Sequence, residues 1–140
     1  MLISVCIPTY NRPHSLLNCL NSLSLQTRKN FEVCISDNCS NKDIKKIIKP
    51  FKKKLNIKFN KNKKNLGFAL NLLKVSNMAT GDFVWFLGDD DLMVRNGIEK
   101  LEYLIKKNSD CDFFWINSFY LNKDYLSKFS YPFNTKNLPK

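Results

Sequence analysis

The stretch Gly81–Met93, GDFVWFLGDDDLM, limits the folds open to this chain more than any other. Phe83–Leu87 is an unbroken apolar run rich in aromatic and β-branched residues. That length and composition suit a strand buried on both faces, as in a parallel sheet. Gly88 lets the chain turn, and Asp89, Asp90 and Asp91 follow at once. In open α/β sheets, ligands bind just beyond the carboxyl ends of the strands. Adjacent carboxylates at such a place repel one another unless something positive neutralises them. A hard divalent cation does so, held by one or two carboxylates and by substrate phosphates. The competing role is a polar loop in which Asp caps the next helix, and one of the acids is expected to cap. All of them together, directly after a buried strand, point to a metal site.

The rest of the chain reads as strands and helices in alternation. Ile3–Ile7 is a first buried strand, ended by Pro8, and Thr9-Tyr10-Asn11-Arg12 is a polar turn. Pro13 then opens a helix with the apolar stripe Leu16, Leu17, Leu20 and Leu23, reaching about Gln26. A strand, a polar turn and a helix start favour phosphate, although every α/β protein has several such places. Phe31–Ile35 is the second strand, followed by the polar segment Ser36–Asn41. Ser40 or Asn41 can cap a helix carrying Ile44, Ile47, Ile48 and Phe51, which should stop before Pro50. Asp37, directly after a strand, is equally a turn residue or a ligand-reading acid.

Asn56–Phe59 is a short third strand. Asn65-Leu66-Gly67-Phe68 leads into a helix over about 68–79 with Leu72, Leu73 and Val75 as core residues, closed by Thr80-Gly81. Beyond the acidic loop, Val94–Lys107 is a helix carrying Ile98, Leu101, Leu104 and Ile105, and Asp112–Phe119 is a fifth strand. Tyr120–Lys140 has no clear period. This alternation predicts an α/β, doubly wound, mostly parallel sheet. Right-handed crossovers then bring Thr9–Arg12, Asp37-Asn38 and Asp89–Asp91 to one edge.

At 140 residues, 44% of them hydrophobic, the chain is one domain or part of one. No apolar run is long enough to span a membrane, and the first residues, MLISVCIPTYN, lack the basic region of a signal peptide. Cys6, Cys19, Cys34, Cys39 and Cys111 form no CxxC pair, and Cys6 and Cys34 fall inside strands. A reducing cytoplasm without disulfides or zinc is expected. The formal net charge is +11, and Lys42–Lys64 holds eleven lysines against one acid, Asp43. Such a segment is a solvated face or a peripheral, salt-sensitive contact with an anionic membrane. Nucleic acid is not expected as a partner, because arginine and stacking aromatics are scarce in the segment.

Four segments, VCIPTYNRP, VCISDNCS, NLGFALN and GDFVWFLGDDD, resemble in order and spacing those of family 2 glycosyltransferases, which have a GT-A fold. The resemblance runs from about Ile3 to Asn117, and NLGF with Asn71 and WFLGDDD are most similar to an abequosyltransferase-like subgroup that builds bacterial surface polysaccharides. It implies a sugar-nucleotide donor lined by Pro8, Thr9, Tyr10, Asn11 and Arg12, with Asp37 and Asn38 at the base and Gly67, Asn65 and Asn71 nearby. It implies that Asp89 and Asp90 touch the donor, and that Asp90, supported by Asp91, carries Mg²⁺ or Mn²⁺ on the diphosphate. The expected partners are the donor and a saccharide or lipid-linked acceptor, at a cytoplasmic location that includes the inner face of the membrane.

The sequence departs from the family in two ways. Gly88 stands where many members have the first Asp of Leu-Asp-x-Asp-Asp, and no residue after Phe119 resembles the family's catalytic base. Asp110, Asp112 and Asp124 read as surface or turn residues. The expectation is therefore a nucleotide-sugar-binding part over residues 1–119, truncated before the acceptor half, with 120–140 a tail or the start of that half. An inverting, metal-assisted transfer fits such residues, because a metal stabilises the leaving diphosphate and a carboxylate deprotonates the acceptor hydroxyl. The alternative is a non-catalytic nucleotide-sugar-binding fragment. A sugar-nucleotide pyrophosphorylase would open with a Gly-rich loop, and Pro8–Arg12 contains no glycine.

Overall fold

The computed structural model describes residues 1–121 and 128–130. Two compact units emerge, Met1–Lys107 and Asn108 onward. The first is built on four parallel strands: β1 (Ile3–Thr9), β2 (Phe31–Asp37), β3 (Asn56–Lys61) and β4 (Phe83–Phe86), in the spatial order β3-β2-β1-β4. The helices are α1 (Pro13–Ser24), α2 (Ile44–Ile48), α3 (Phe68–Ser76) and α4 (Gly97–Lys107). The strand–helix alternation read from the sequence is thus present, and so is the parallel sheet.

The central strands bury both faces. Ile3, Val5, Ile7, Phe31, Val33 and Ile35 lie on one face and are fully or almost fully buried. The other face is made of Ser4, Cys6, Glu32, Cys34 and Ser36, and Val75 of α3 packs on Cys6 and Cys34. Small and polar side chains here are possible because each polar atom finds a partner. Glu32, at the amino-terminal end of the sheet, accepts from Ser4 Oγ at 2.7 Å, from the Thr80 N–H at 2.7 Å and from Lys58 Nζ at 2.8 Å. Burial alone would raise its carboxyl, but the bonds from Lys58, Ser4 and Thr80 outweigh burial and hold it at about 2.

Several sequence expectations shift for identifiable reasons. Pro8 does not end β1, which pairs with β2 as far as Thr9↔Asp37. Cys6 C=O accepts from Leu87 N–H on the β4 side, and Thr9 C=O accepts from Asn38 N–H on the β2 side. By alternation Pro8 faces the β4 side, past the end of that ladder at Cys6↔Phe86, where a missing N–H costs nothing. β4 is not buried on both faces: it is an outer strand of this sheet, and Val84 and Phe86 are 42% and 50% exposed.

In α3, Val75 is buried but Leu73 is exposed, and the polar Asn71 takes the core position over Ser36. The helix stops at Ser76, and Met78 and Ala79 pack from the turn that follows. Asp43, not Ser40 or Asn41, caps α2, accepting from the Lys46 N–H. The chain continues through Pro50 as a 3₁₀ turn, Lys49–Lys53, at whose start the missing N–H is tolerated. α4 begins at Gly97 rather than Val94, so none of the acids of the acidic loop caps it, and Leu104 is exposed.

The second unit contains β5 (Tyr120–Leu121), antiparallel to β6 (Lys128–Ser130). The fifth strand expected over Asp112–Phe119 is not formed. A run of aromatic residues suits a strand by composition, but β-propensity depends on surroundings as much as on residue type. Asp124, and most of the 120–140 segment, fall outside the described residues.

Candidate functional site

The carboxyl ends of β1, β2 and β3 are level, since Thr9 pairs with Asp37 and Asp37 with Lys61. β4 ends earlier, at Phe86 opposite Cys6. Leu87 stays in step, donating its N–H to Cys6 C=O at 3.0 Å. Continuing in that register puts Asp89 level with Thr9, and Thr9 Oγ1 donates to Asp89 Oδ2 at 2.7 Å. Asp37-Asn38 joins through the Asn38 N–H, which donates to Thr9 C=O at 2.9 Å. The three segments expected to converge therefore do.

The acids of the loop have different surroundings. Asp89 is buried, and besides Thr9 it meets Arg12 Nη1 at 3.4 Å. Burial raises its carboxyl, the Thr9 hydroxyl and the Arg12 charge oppose that, and neighbouring Asp90 adds to it. Asp90 is solvent-facing and pairs with the same Arg12 Nη1 at 2.8 Å. Asp91 turns back, its Oδ2 accepting from the Gly88 N–H at 3.1 Å. Burial raises Asp91 too, against the pull of that N–H. A Cβ on Gly88 would lie 2.8 Å from Asp91 Oδ2 and 2.9 Å from Asp90 Oδ1, so glycine is what lets the carboxylates fold over the turn.

Asp37 is completely buried. Its Oδ1 accepts from the Ser40 N–H at 3.0 Å, while its Oδ2 is buried without a hydrogen-bond partner. Lys61 Nζ, 3.8 Å from Oδ2, supplies charge but no hydrogen bond, and itself donates to Ser40 C=O at 2.7 Å. A buried carboxylate oxygen without a hydrogen-bond donor is costly, and the Lys61 charge offsets part of that cost.

The loops after β1 and β2 are locked together. The Asn11 N–H donates to Ser40 Oγ at 2.8 Å, and Asn11 Oδ1 accepts from the Asn41 N–H at 2.9 Å. Asn11 and Cys39 both have positive φ, at 56° and 67°. Such conformations persist only where neighbouring bonds over-determine them. Tyr10 stands exposed beside them.

Asn38 is a hub. Its Nδ2 donates to Asn65 Oδ1 at 2.7 Å and to Gly67 C=O at 3.2 Å, and its Oδ1 accepts from Leu66 N–H at 2.8 Å and Asn62 Nδ2 at 3.2 Å. A primary amide has no further capacity, so this side chain builds the loop before α3. Asn71 Oδ1 accepts from Ser36 Oγ and from Asn62 Nδ2, each at 2.8 Å, and its Nδ2 donates to Ser36 C=O. Gly67, at φ 78° and ψ 171°, adopts a backbone that only glycine takes without strain, with open space around it. Ser36, Ser40, Asn62 and Lys61 were not singled out from the sequence for these roles. Lys61 could have been found from strand register; for Asn62 the sequence holds no signal.

Comparisons with known proteins identify the family. The profile of the family described as Glycosyl transferase family 2 matches residues 4–137. The chain belongs to this family. Among family relatives, it is 37% identical over 119 residues to abequosyltransferase RfbV of Salmonella typhimurium, an alignment covering 80% of this chain and 36% of RfbV. It is 35% identical over 102 residues to the poly(ribitol-phosphate) beta-N-acetylglucosaminyltransferase TarS of Staphylococcus aureus, covering 71% of this chain and 18% of TarS. The crystal structure of TarS residues 1–349 in complex with UDP superposes with a TM-score of 0.74 at 30% identity, over 78% of this chain and 33% of that one. The same TarS segment has been crystallised with UDP-GlcNAc, and it superposes equally well, at 0.74. The family 2 chain described here has the GT-A-type parallel sheet with flanking helices, and it spans about a third of the length of RfbV.

Proposed function

We propose that this chain is the donor-binding part of a nucleotide-sugar glycosyltransferase that makes an inverting, metal-assisted transfer to a saccharide or lipid-linked acceptor of a cell-envelope polysaccharide. The observation that carries the reading is the meeting of Thr9, Asp37-Asn38 and Asp89–Asp91 at the carboxyl ends of the strands, where Asp37 Oδ2 has the Lys61 charge but no hydrogen-bond donor. Asp37 would accept an N–H of the nucleobase. Pro8, Thr9, Tyr10, Asn11 and Arg12 would line the nucleotide, and Asp89, fixed by Thr9, would face the ribose. Asn38, Asn65, Gly67 and Asn71 would shape the loop over the donor rather than touch it with free polar atoms. The complexes of TarS with UDP and UDP-GlcNAc, and the names of RfbV and TarS, support this reading.

Among the described residues no group of three or more His, Cys, Asp or Glu side chains could by itself hold a metal. Asp89 and Asp90 nevertheless converge on one cation, the Arg12 guanidinium, so this donor set suits positive charge. Asp90, with Asp91 beside it, would hold Mg²⁺ or Mn²⁺ once diphosphate oxygens complete the ligand set. When bound, the metal stabilises negative charge on the leaving diphosphate. Calorimetry of this chain with UDP, GDP and CDP, with and without Mn²⁺, tests the reading. Binding of one nucleotide that needs both Mn²⁺ and Asp90 is expected. Equal affinity with and without metal, in wild type and Asp90→Ala alike, would remove the metal role.

The lysine-rich segment supports a second contact. Lys45, Lys49 and Lys52 are exposed around a cleft of about 480 Å³ with Ile48 and Phe59 in its lining. Cationic rim and apolar floor suit the peripheral surface of an anionic membrane, at the inner face in the cytoplasm, with each well-placed lysine contributing on the order of 1 kcal/mol. Among the described residues no helix is long and apolar enough to cross a membrane. Co-sedimentation with vesicles at low and high salt tests the contact. Salt-sensitive binding to anionic vesicles is expected, and equal weak pelleting with neutral ones would leave lysines that merely blunt the outer strand β3.

A further inference from the structure

Arg12 has a geometry that its place in a nucleotide-lining turn does not require. Its Nη1 alone makes both ion pairs, 2.8 Å to Asp90 and 3.4 Å to Asp89. Its backbone is fixed: it is the residue before α1, Pro13 follows it, and its C=O accepts from the Leu16 N–H at 3.0 Å. Its side chain is 57% exposed and Asp90's is 60% exposed, so the pair lies open to solvent. Asp91 is already committed to the Gly88 N–H. Among the described residues, the ion pairs of the acidic run both come from Arg12, a long side chain on a rigid base that reaches Asp89 and Asp90 together.

We propose that Arg12 is the internal counter-cation of the acidic loop, exchanged for a divalent cation when a diphosphate enters. A guanidinium and a divalent cation held on the same carboxylate repel each other. A diphosphate gives the guanidinium another partner, because its paired oxygens match the planar fork of arginine donors. Metal and diphosphate then enter as a coupled pair. The metal bound alone must displace Arg12 with nothing to receive it, while the metal arriving with diphosphate leaves Arg12 a partner. Coupling of this kind is reciprocal, so nucleotide affinity rises with metal by the factor by which metal affinity rises with nucleotide. The inference rests on the metal role proposed above for Asp90.

The test measures Mn²⁺ binding to this chain by the electron paramagnetic resonance of free Mn²⁺, alone and with UDP, GDP or CDP, relative to the same nucleotide without protein. Wild type should bind Mn²⁺ weakly alone and more tightly with its nucleotide. Arg12→Met, similar in length and uncharged, should bind Mn²⁺ alone about fivefold more tightly, the size expected for loss of one exposed ion pair, and should lose most of the coupling. Arg12→Gln is the second uncharged variant and should behave alike, while Arg12→Lys should keep the coupling. If wild type shows nucleotide-linked Mn²⁺ binding but neither uncharged variant binds Mn²⁺ alone more tightly, the exchange is refuted and the metal role stands. If no protein binds Mn²⁺ with any nucleotide, both are refuted.

Discussion

Asp37→Asn separates a base-reading carboxylate from a loop-building one. The amide oxygen can keep the bond that Oδ1 accepts from the Ser40 N–H. The Oδ2 position becomes an NH₂ group, a donor where the proposed base also donates. A hydrogen bond to a charged group contributes about 1.5–3 kcal/mol, so nucleotide affinity should fall roughly ten- to hundredfold. The fold should suffer little. Lys61 loses a 3.8 Å charge contact but keeps its bond to Ser40 C=O. Being 43% exposed on its side chain, it is screened by solvent, and the stability change should stay within about 1 kcal/mol. Calorimetry against UDP, GDP, CDP and ADP in the presence of Mn²⁺, with a melting curve on the free protein, gives both numbers. The preferred base should lose most. Unchanged affinity, or the same loss for every base, would refute the reasoning and leave Asp37 a turn residue.

Two further substitutions probe the frame of the site. Gly88→Ala places a Cβ less than 3 Å from carboxylate oxygens of both Asp90 and Asp91, so it should push these side chains aside. Metal-dependent nucleotide binding should weaken about tenfold or more while the circular dichroism spectrum is preserved, and full metal dependence in the variant would contradict the geometry. Glu32→Gln acts at the other end of the sheet. The Glu32 carboxyl is held at about 2 against an ordinary 4.5, so in wild type it favours the folded state above pH 4.5 and that contribution is lost as the pH falls toward 2. The difference corresponds to about 3 kcal/mol. Urea melts of Glu32→Gln should show a loss of that order at pH 7 and a flatter pH dependence between pH 5 and 2; an unchanged slope would refute the assignment.

The parts of the fold legible in the sequence were those written in local periodicity. VCI in β1 and VCISD in β2 mark strands, the Leu16–Leu20–Leu23 stripe marks α1, and Pro13 marks its start. Short connections and right-handed crossovers then carried these local signals to one shared edge, and the Thr9–Asp89 bond lies there. Periodicity failed where a residue's surroundings come from far along the chain. Residues 112–119 have the composition of a strand but are not assigned as one, and Leu73 has the character of a core residue but sits on the outer side of α3.

What the sequence determined by itself is a strand, a glycine turn and consecutive acids, together with the family to which that pattern belongs. The resemblance singled out Asp90 for a metal, but local periodicity could not assign different surroundings to Asp89, Asp90 and Asp91, which are adjacent identical side chains. Tertiary structure made that assignment. The length of β4 relative to β1 sets Asp89 against Thr9, the anchored start of α1 sets Arg12 against Asp90, and the missing Cβ of Gly88 lets Asp91 fold back on its own turn. The same holds for the asparagines. Asn38, Asn65 and Asn71 read alike as polar loop or helix residues, and only the meeting of loops from three strands decides that Asn38 spends its hydrogen bonds on protein while Asp37 beside it keeps a buried oxygen free of them. Hydrogen-bond capacity is fixed by residue type, but whether it is spent depends on partners that only the folded chain brings within 3 Å or so.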